Sequence, residues 1–331
     1  MKLFPLLIHT HFHNRLTGVT RSIENVFPYL ENQSEAYIFG YGIEGRKISF
    51  GKLLKLVLSK RYFVMHCHRN NEIILALLLR LLGGNFKLIS TRHAKTPPSS
   101  FTNYLFKKSD LIVALTKSMS QSLPFKAEVV GHGVDTKLFK SKSSVVRPEI
   151  KQKNILTCAG RVREAKGQKV LLETIAPFLK QYPDWALAII GKVDKPKFLK
   201  ELKEIVANHS AEDQVYFIEE TPEIISFYQA SHSVIVPSFT EGFSLVCAEA
   251  MSCGCNVLAS KGVGIHSEII THGKNGYLFN IHNPAEMKAL LIKLVEGELA
   301  HLGDKARKEV EANWSSETEA NKLMELYDSQ S

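Results

Sequence analysis

Short apolar runs alternate along the chain with longer amphipathic ones. In the first half the short runs fall at residues 3–9, 35–40, 62–68, 86–91, 110–115 and 127–130. In the second half they fall at Asn154–Ala159, Trp185–Ile190, Val215–Ile218, Ser233–Val236, residues 256–259 and Tyr277–Phe279. Most are almost continuously apolar, the pattern of strands buried on both faces of a parallel sheet. Helical periodicity fills residues 19–30, 53–60, 72–82, 168–180 and Pro284–Val295; the last opens with Asn283 as a cap and Pro284 at the first helical position. Alternation of this kind in both halves predicts an α/β protein of two doubly wound, Rossmann-like domains. The polar, Pro-containing stretch between residues 135 and 153 reads as the linker, which gives domains 1–147 and 148–314. In open α/β sheets ligands bind beyond the carboxyl ends of the strands, so chemistry is expected on those loops and in a cleft between the domains.

Composition narrows this picture. The 331 residues are 44% hydrophobic and 23% charged, enough apolar material for two cores and too much for wholesale disorder. The longest apolar stretch, residues 73–82, is about half of the roughly 20 residues a membrane-spanning helix needs. The opening MKLFPLLIHTHFH reads as a first strand rather than a targeting segment, because it is short and lacks a small-residue cleavage site. Cys67, Cys158, Cys247, Cys253 and Cys255 form no disulfide or metal-site spacing. Reduced packing thiols in a cytoplasmic protein are expected. The net charge of +9 divides into +14 over residues 1–147 and −5 over the rest. Two halves so unlike are expected to meet different partners, the basic one facing phosphates, an anionic membrane surface or an acidic substrate.

The densest chemistry lies in VIVPSFTEGFSLVCAEAMSCGCNVLAS, a strand, a loop carrying Glu241, Gly242 and Phe243, and a helix from about Ser244. Ser244 is the expected N-cap. The amides of Ser244 and Leu245 then sit where a helix N-terminus attracts phosphate. Glu241 and Glu249 as a bare pair are compatible with a solvated helix face; within this flank they suit sugar hydroxyls and a ribose diol. Arg161 and Lys166 lie on a Gly-bearing loop between a strand and a helix. Two cations there suit a diphosphate, Arg forking two oxygens and Lys acting as a point charge, or else are solvated.

This segment resembles the E-x7-E region of family 4 glycosyltransferases, retaining enzymes of the GT-B fold. GRVREAKGQKVLLE, GHGVDTKLF (with His132 where Asn is usual) and GVGIHSEIITHGKNGYLFN are similar to three further segments of that family. HTHFHNRLTGVTRSIENV looks most like mannosyltransferases of the lipopolysaccharide core. The resemblance implies that the first domain binds the acceptor and the second a nucleotide sugar, with residues 315–331 crossing back onto the first. It implies that Arg161 and Lys166 hold the donor diphosphate, Glu249 the ribose and Glu241 the donor sugar, with Gly242, Phe243, Ser244 and Leu245 around them. Gly18, opening a helix after the first strand, is implied near a phosphate or sugar, and His93 near the reacting sugar. Arg92 and Lys95 beside it either meet an anionic acceptor or are solvated. No metal and no other cofactor is implied.

His9, His11 and His13 alternate, and His66 and His68 do likewise; five histidines at one sheet edge suit acceptor binding or packing better than zinc. The basic segment KLLKLVLSKR reads as a helix packing its apolar face on the sheet. For the basic half as a whole, peripheral contact with an anionic membrane is expected, on the cytoplasmic face of the inner membrane. The expected reaction is retaining transfer of a hexose, mannose from GDP-mannose, to a lipid-linked or lipopolysaccharide-core glycan. A UDP-sugar donor, or an epimerase or hydrolase on the same fold, is the alternative. No nucleic-acid motif is present.

Overall fold

The computed structural model describes residues 5–14, 17–141 and 149–329. The chain divides into two compact units, residues 1–135 with 314–331, and residues 136–313. The boundary expected after residue 147 lies outside the described residues.

The first unit contains β1 (Leu6–Phe12), α1 (Gly18–Glu31), β2 (Ala36–Tyr41), α2 (Phe50–Leu58), β3 (Phe63–Cys67), α3 (Asn70–Leu81), β4 (Phe86–Arg92), α4 (Ser100–Phe106), β5 (Leu111–Ala114), α5 (Lys117–Ser122) and β6 (Glu128–Val129). Its strands form a parallel sheet in the order β2-β1-β3-β4-β5-β6. Two of the boundaries that differ from expectation do so for clear local reasons. Pairing with β2 carries β1 on to Phe12, matched with Tyr41. The α2 helix starts three residues early because the Ser49 hydroxyl accepts from the Lys52 amide at 3.3 Å.

The second unit contains β7 (Asn154–Ala159), α6 (Gln168–Leu179), β8 (Trp185–Ile190), α7 (Pro196–Asn208), β9 (Val215–Ile218), α8 (Ile224–Ala230), β10 (Ser233–Val236), α9 (Leu245–Ser252), β11 (Asn256–Ser260), α10 (His266–Ile269), β12 (Tyr277–Phe279), α11 (Pro284–Val295) and α12 (Gly303–Asn313). Its parallel sheet runs β12-β11-β10-β7-β8-β9. Asn283 precedes α11 but, contrary to expectation, makes no side-chain cap bond; Pro284 at the first helical position leaves one fewer orphan amide in that turn.

The chain then returns to the first unit as α13 (Ser316–Asp328). Val134 donates to the Trp314 carbonyl and Ser316 donates to the Val134 carbonyl, both at 2.9 Å. Ala320, Leu323, Met324 and Tyr327 join Ile23, Val26, Phe27 and Leu30 of α1 in one apolar cluster. The return helix thereby covers a face of α1 and the sheet, and each of its buried large side chains contributes roughly 1.5–3 kcal/mol. All five cysteines are buried and free. Burial pushes the Cys158 and Cys253 thiols up to about 12, so they are unreactive packing groups. Among the described residues no helix is long and apolar enough to cross a membrane.

Candidate functional site

In the second unit the site is built where the loops after β7 and β10 meet. After β7 the chain passes Gly160 and Arg161, makes a short turn at Glu164–Lys166, and enters α6 through Gly167. Gly167 has φ +73°, and a Cβ there would lie 1.8 Å from the Pro237 carbonyl oxygen. No other residue fits that approach. The Phe239 amide donates to the Ala165 carbonyl at 3.0 Å and ties the second loop to the first.

This packing brings Lys166 and Glu241 together. Lys166 Nζ donates to Glu241 Oε1 at 2.5 Å, and Ser238 Oγ donates to the same oxygen at 2.7 Å. The side chains are 16% and 10% exposed, so the pair is sheltered from solvent. Arg161 is placed apart from it. Its Nη1 reaches Asp194 Oδ1 at 3.1 Å, and it is close to half exposed.

Gly242 and Phe243 follow Glu241, and Phe243 is buried. The Ile265 amide donates to the Phe243 carbonyl at 2.8 Å. Ser244 does precede α9, but the expectation that its hydroxyl caps the helix is corrected. It sits in the left-handed region at φ +95° and makes no side-chain cap bond. Its hydroxyl instead bonds His266 Nε2 at 2.9 Å, while His266 Nδ1 faces the Ser260 carbonyl at 2.8 Å. A carbonyl can only accept, so Nδ1 carries the proton and Ser244 donates to Nε2. This bond helps hold a non-glycine backbone conformation that costs of the order of 1–3 kcal/mol. Leu245 opens α9. Glu249, 3% exposed, lies within it with Tyr228 Oη at 3.4 Å from Oε2.

In the first unit Gly18 opens α1 beside Thr17, whose hydroxyl and amide form a capping box with Thr20. A Cβ at Gly18 would meet nothing within 4 Å. The histidines sort themselves by register. Parallel pairing sets His9 opposite His66, with His68 just beyond β3. Tyr327 Oη lies 3.1 Å from His9 Nε2 and 2.7 Å from His66 Nδ1. His66 Nε2 reaches Thr91 Oγ1 at 2.6 Å, and His9 Nδ1 lies 3.4 Å from His68 Nε2. His68 Nδ1 reaches His93 Nε2 at 3.1 Å. The His93 ring stacks on His132, 5.3 Å away, and His132 bonds Glu319 of α13 at 3.2 Å. His11 turns elsewhere, to the Tyr41 carbonyl and Thr20.

Nitrogens of His9, His66 and His68 lie within 4.8 Å of one another, a donor set zinc uses. Each of their ring nitrogens already has one of the hydrogen-bond partners just described, so the cluster is satisfied as a network of neutral imidazoles. Burial lowers the His9 pKa to about 3. Burial first, then neighbouring cationic forms, holds His66, His68 and His93 well below the usual histidine value.

The family described as glycosyl transferases group 1 matches residues 139–313. The chain belongs to this family. The lipopolysaccharide core biosynthesis mannosyltransferase LpcC of Rhizobium leguminosarum bv. viciae is 28% identical over 338 residues, covering 98% of this chain and 96% of its own length. The lipopolysaccharide core biosynthesis mannosyltransferase LpsB of Rhizobium meliloti (strain 1021) is 29% identical over 281 residues, covering 81% and 80%. The crystal structure of Anabaena Alr3699/HepE in complex with UDP matches with a TM-score of 0.79 over 98% of this chain and all of that one, at 18% identity. The two parallel sheets are those of the GT-B fold. This group 1 chain is a glycosyltransferase.

Sequence reasoning about this group 1 site missed Asp194, Ser238 and His266, the partners of Arg161, Glu241 and Ser244. None has a motif of its own, although Ser238 and His266 lay within segments already singled out. Tyr327 and Glu319 were missed for the same reason, being some 190 to 320 positions from the histidines they hold.

The histidine network makes stability pH-dependent. In the unfolded chain each imidazole titrates near 6.5, and in the folded one far lower. The unfolded state therefore binds more protons below about pH 6.5, and stability present above that is lost as pH falls toward the folded values. Each group contributes up to about 1.4 kcal/mol per pH unit. The thermal midpoint of the first unit, followed from about pH 7.5 to about pH 5.5, is expected to fall steadily. A flat profile contradicts neutral burial.

Proposed function

We propose that this glycosyltransferase moves a hexose, mannose from GDP-mannose, onto a lipid-linked or lipopolysaccharide-core glycan with retention of anomeric configuration. The second unit takes the donor and the first the acceptor. The names of two long-range relatives, both core mannosyltransferases, support the sugar and the acceptor class. The observation that carries the site is the sheltered Lys166–Glu241 pair on two loops locked by Gly167.

On donor binding Lys166 and Arg161 exchange their carboxylate partners for the diphosphate. Their charge then stabilises the departing nucleoside diphosphate. Glu241, freed from Lys166, accepts from donor-sugar hydroxyls, and Glu249 accepts from the ribose diol. The amides of Ser244 and Leu245 add donors near the phosphate. Gly242 leaves room for the sugar, and Phe243 anchors the loop. A cavity of about 520 Å³ beyond β8 and β9, lined by Gly191, Lys192, Ile218 and Glu219, suits the base. No carboxylate is assigned as nucleophile. The acceptor oxygen attacks from the leaving-group side, the anomeric C–O bond to phosphate breaks, and a phosphate oxygen takes the acceptor proton. His93 hydrogen-bonds the sugar as a neutral imidazole, and the scheme uses no metal.

The donor side is tested by thermal shift with GDP-mannose, UDP-glucose, GDP and UDP on wild type and Glu249→Ala. GDP-mannose is expected to stabilise wild type by about 2–3 kcal/mol at roughly a hundred times its Kd, and the variant far less. Stabilisation by UDP ligands alone reassigns the donor to a UDP-sugar. Equal stabilisation of the variant removes Glu249 from the site.

The acceptor class also implies a membrane surface, and we assign it to α2, α3 and α4. The α2 helix buries Leu53 and Val57 in the core and shows solvent Lys52, Lys55 and Leu58. The neighbouring α3 exposes Ile74, Leu78 and Leu81, an apolar stripe at helical spacing turned away from the sheet. Exposed Phe101, Tyr104, Lys107 and Lys108 lie on and just after α4. Apolar side chains among cations fit the interface of an anionic bilayer, and the reading places the enzyme on the cytoplasmic face of the inner membrane. Sedimentation with phosphatidylglycerol-containing vesicles, and not with phosphatidylcholine alone, is expected. Leu78→Ser with Leu81→Ser should release the protein; retention by the double variant rules this face out.

A further inference from the structure

A second cavity, of about 410 Å³, opens in the first unit where β3 and β4 end, lined by His68, Arg69, Asn70, Thr91, Arg92 and His93 among others. Its two arginines are unusual. The Nε of Arg69 and the Nε of Arg92 are both shut off from solvent and, among the described residues, neither has a hydrogen-bond partner. Arg92 donates through Nη2 to the Thr96 carbonyl at 2.6 Å, an uncharged acceptor, and neither guanidinium forms an ion pair among the described residues. Glu72 is felt by Arg69, but its oxygens already accept from the Thr10 hydroxyl and from the amides of His68 and Phe12. Arg69 also occupies the cap position of α3 without capping it, so the positive end of a twelve-residue helix starts at the same place.

An Nε donor shut off from both solvent and acceptors is a cost, and an oxyanion that draws the guanidinium toward the cavity removes it. A planar fork is also the group that recognises carboxylate and phosphate in two-point fashion. His93 and Asn70 line the same wall with further neutral hydrogen-bonding groups. The two arginines push against protonation of His93, so the imidazole stays neutral beside an anion instead of competing for it.

We propose that this cavity binds the acid group of the acceptor, a carboxylate or a phosphate, between Arg69 and Arg92. The assignment of that anion to an acceptor rests on the first unit being the acceptor side; the anion site itself does not. Seating the acid group there fixes the acceptor next to His93, the residue assigned to the reacting sugar. An acceptor lacking the acid group would leave both donors unpaired and be discriminated against.

The full-length protein is titrated with inorganic phosphate and, separately, with acetate, following the His93 ring resonance by NMR and the binding heat by calorimetry. Saturable binding of at least one anion, with a shift of His93, is expected. It should weaken about tenfold or more in Arg69→Gln and in Arg92→Gln, as loss of a charge-assisted fork predicts. Arg69→Lys and Arg92→Lys, which keep the charge, should bind with intermediate strength and show that the glutamine variants lost recognition and not their fold. Lys200→Gln, at an exposed position of α7, should bind anion as wild type does. Preference for phosphate or for acetate identifies which acid group the acceptor carries. No saturable His93 shift at tens of millimolar anion, or unchanged binding in both glutamine variants, overturns the proposal. Loss of binding in Lys200→Gln alone does so too. GDP-mannose titrated into the same samples separates the two questions, because anion binding without nucleotide-sugar binding defeats the glycosyltransfer scheme and leaves the anion site standing.

Discussion

The second unit depends on one close approach, the backbone at Gly167 pressed against the carbonyl of Pro237. A side chain there would have to stand 1.8 Å from an oxygen, so any other residue drives the two loops apart. With glycine the loop after β7 lies flat on the loop after β10, and Lys166 reaches Glu241. From the other side Gly264, at φ +52°, lets the following loop press on Phe243, where a Cβ would come within 2.3 Å of the carbonyl oxygen. The chain between these contacts is held at Ser244 in a conformation that serine avoids, helped by the hydroxyl bond to His266. Two glycines and one strained serine therefore fix the loops that carry Lys166 and Glu241.

The first unit solves a different problem. Register places His9 beside His66 in the middle of a sheet, where an imidazolium would be expensive to bury. The structure keeps the rings neutral and gives each nitrogen a hydroxyl, carbonyl or ring partner. Tyr327 arrives from the far end of the chain to join two of them. The return helix thus has two duties, covering apolar surface on α1 and completing a polar network. Two cationic groups, Arg69 and Arg92, stand at the network's edge beside His93.

Much of this architecture is legible in the sequence because both sheets are parallel and buried. Strands such as Asn154–Ala159 and Trp185–Ile190 stand out as unbroken apolar runs, and α11 as a periodic one. Helices of four to eight residues, α4, α5, α8 and α10, complete too few turns to show a period. The ends of α2 and β1 were set by a serine cap and by strand pairing, which composition does not report. Around the site, residues on contiguous loops could be read: Lys166 and Glu241 each belong to a motif, and the structure joins them. Their partners could not be read. Asp194, His266 and Tyr327 act through contacts made only after folding, and Arg69 becomes conspicuous only once its Nε is seen to be buried without an acceptor. Ser244 misleads for a backbone reason, since its type suits a cap and its φ prevents it from serving as one.

Hydrogen–deuterium exchange with and without GDP-mannose tests most directly whether the locked loops are the donor site. Protection is expected in two separated segments, residues 160–168 and 238–249, rising together with ligand concentration. Protection confined to the first unit, or to only one of those loops, would contradict the donor assignment.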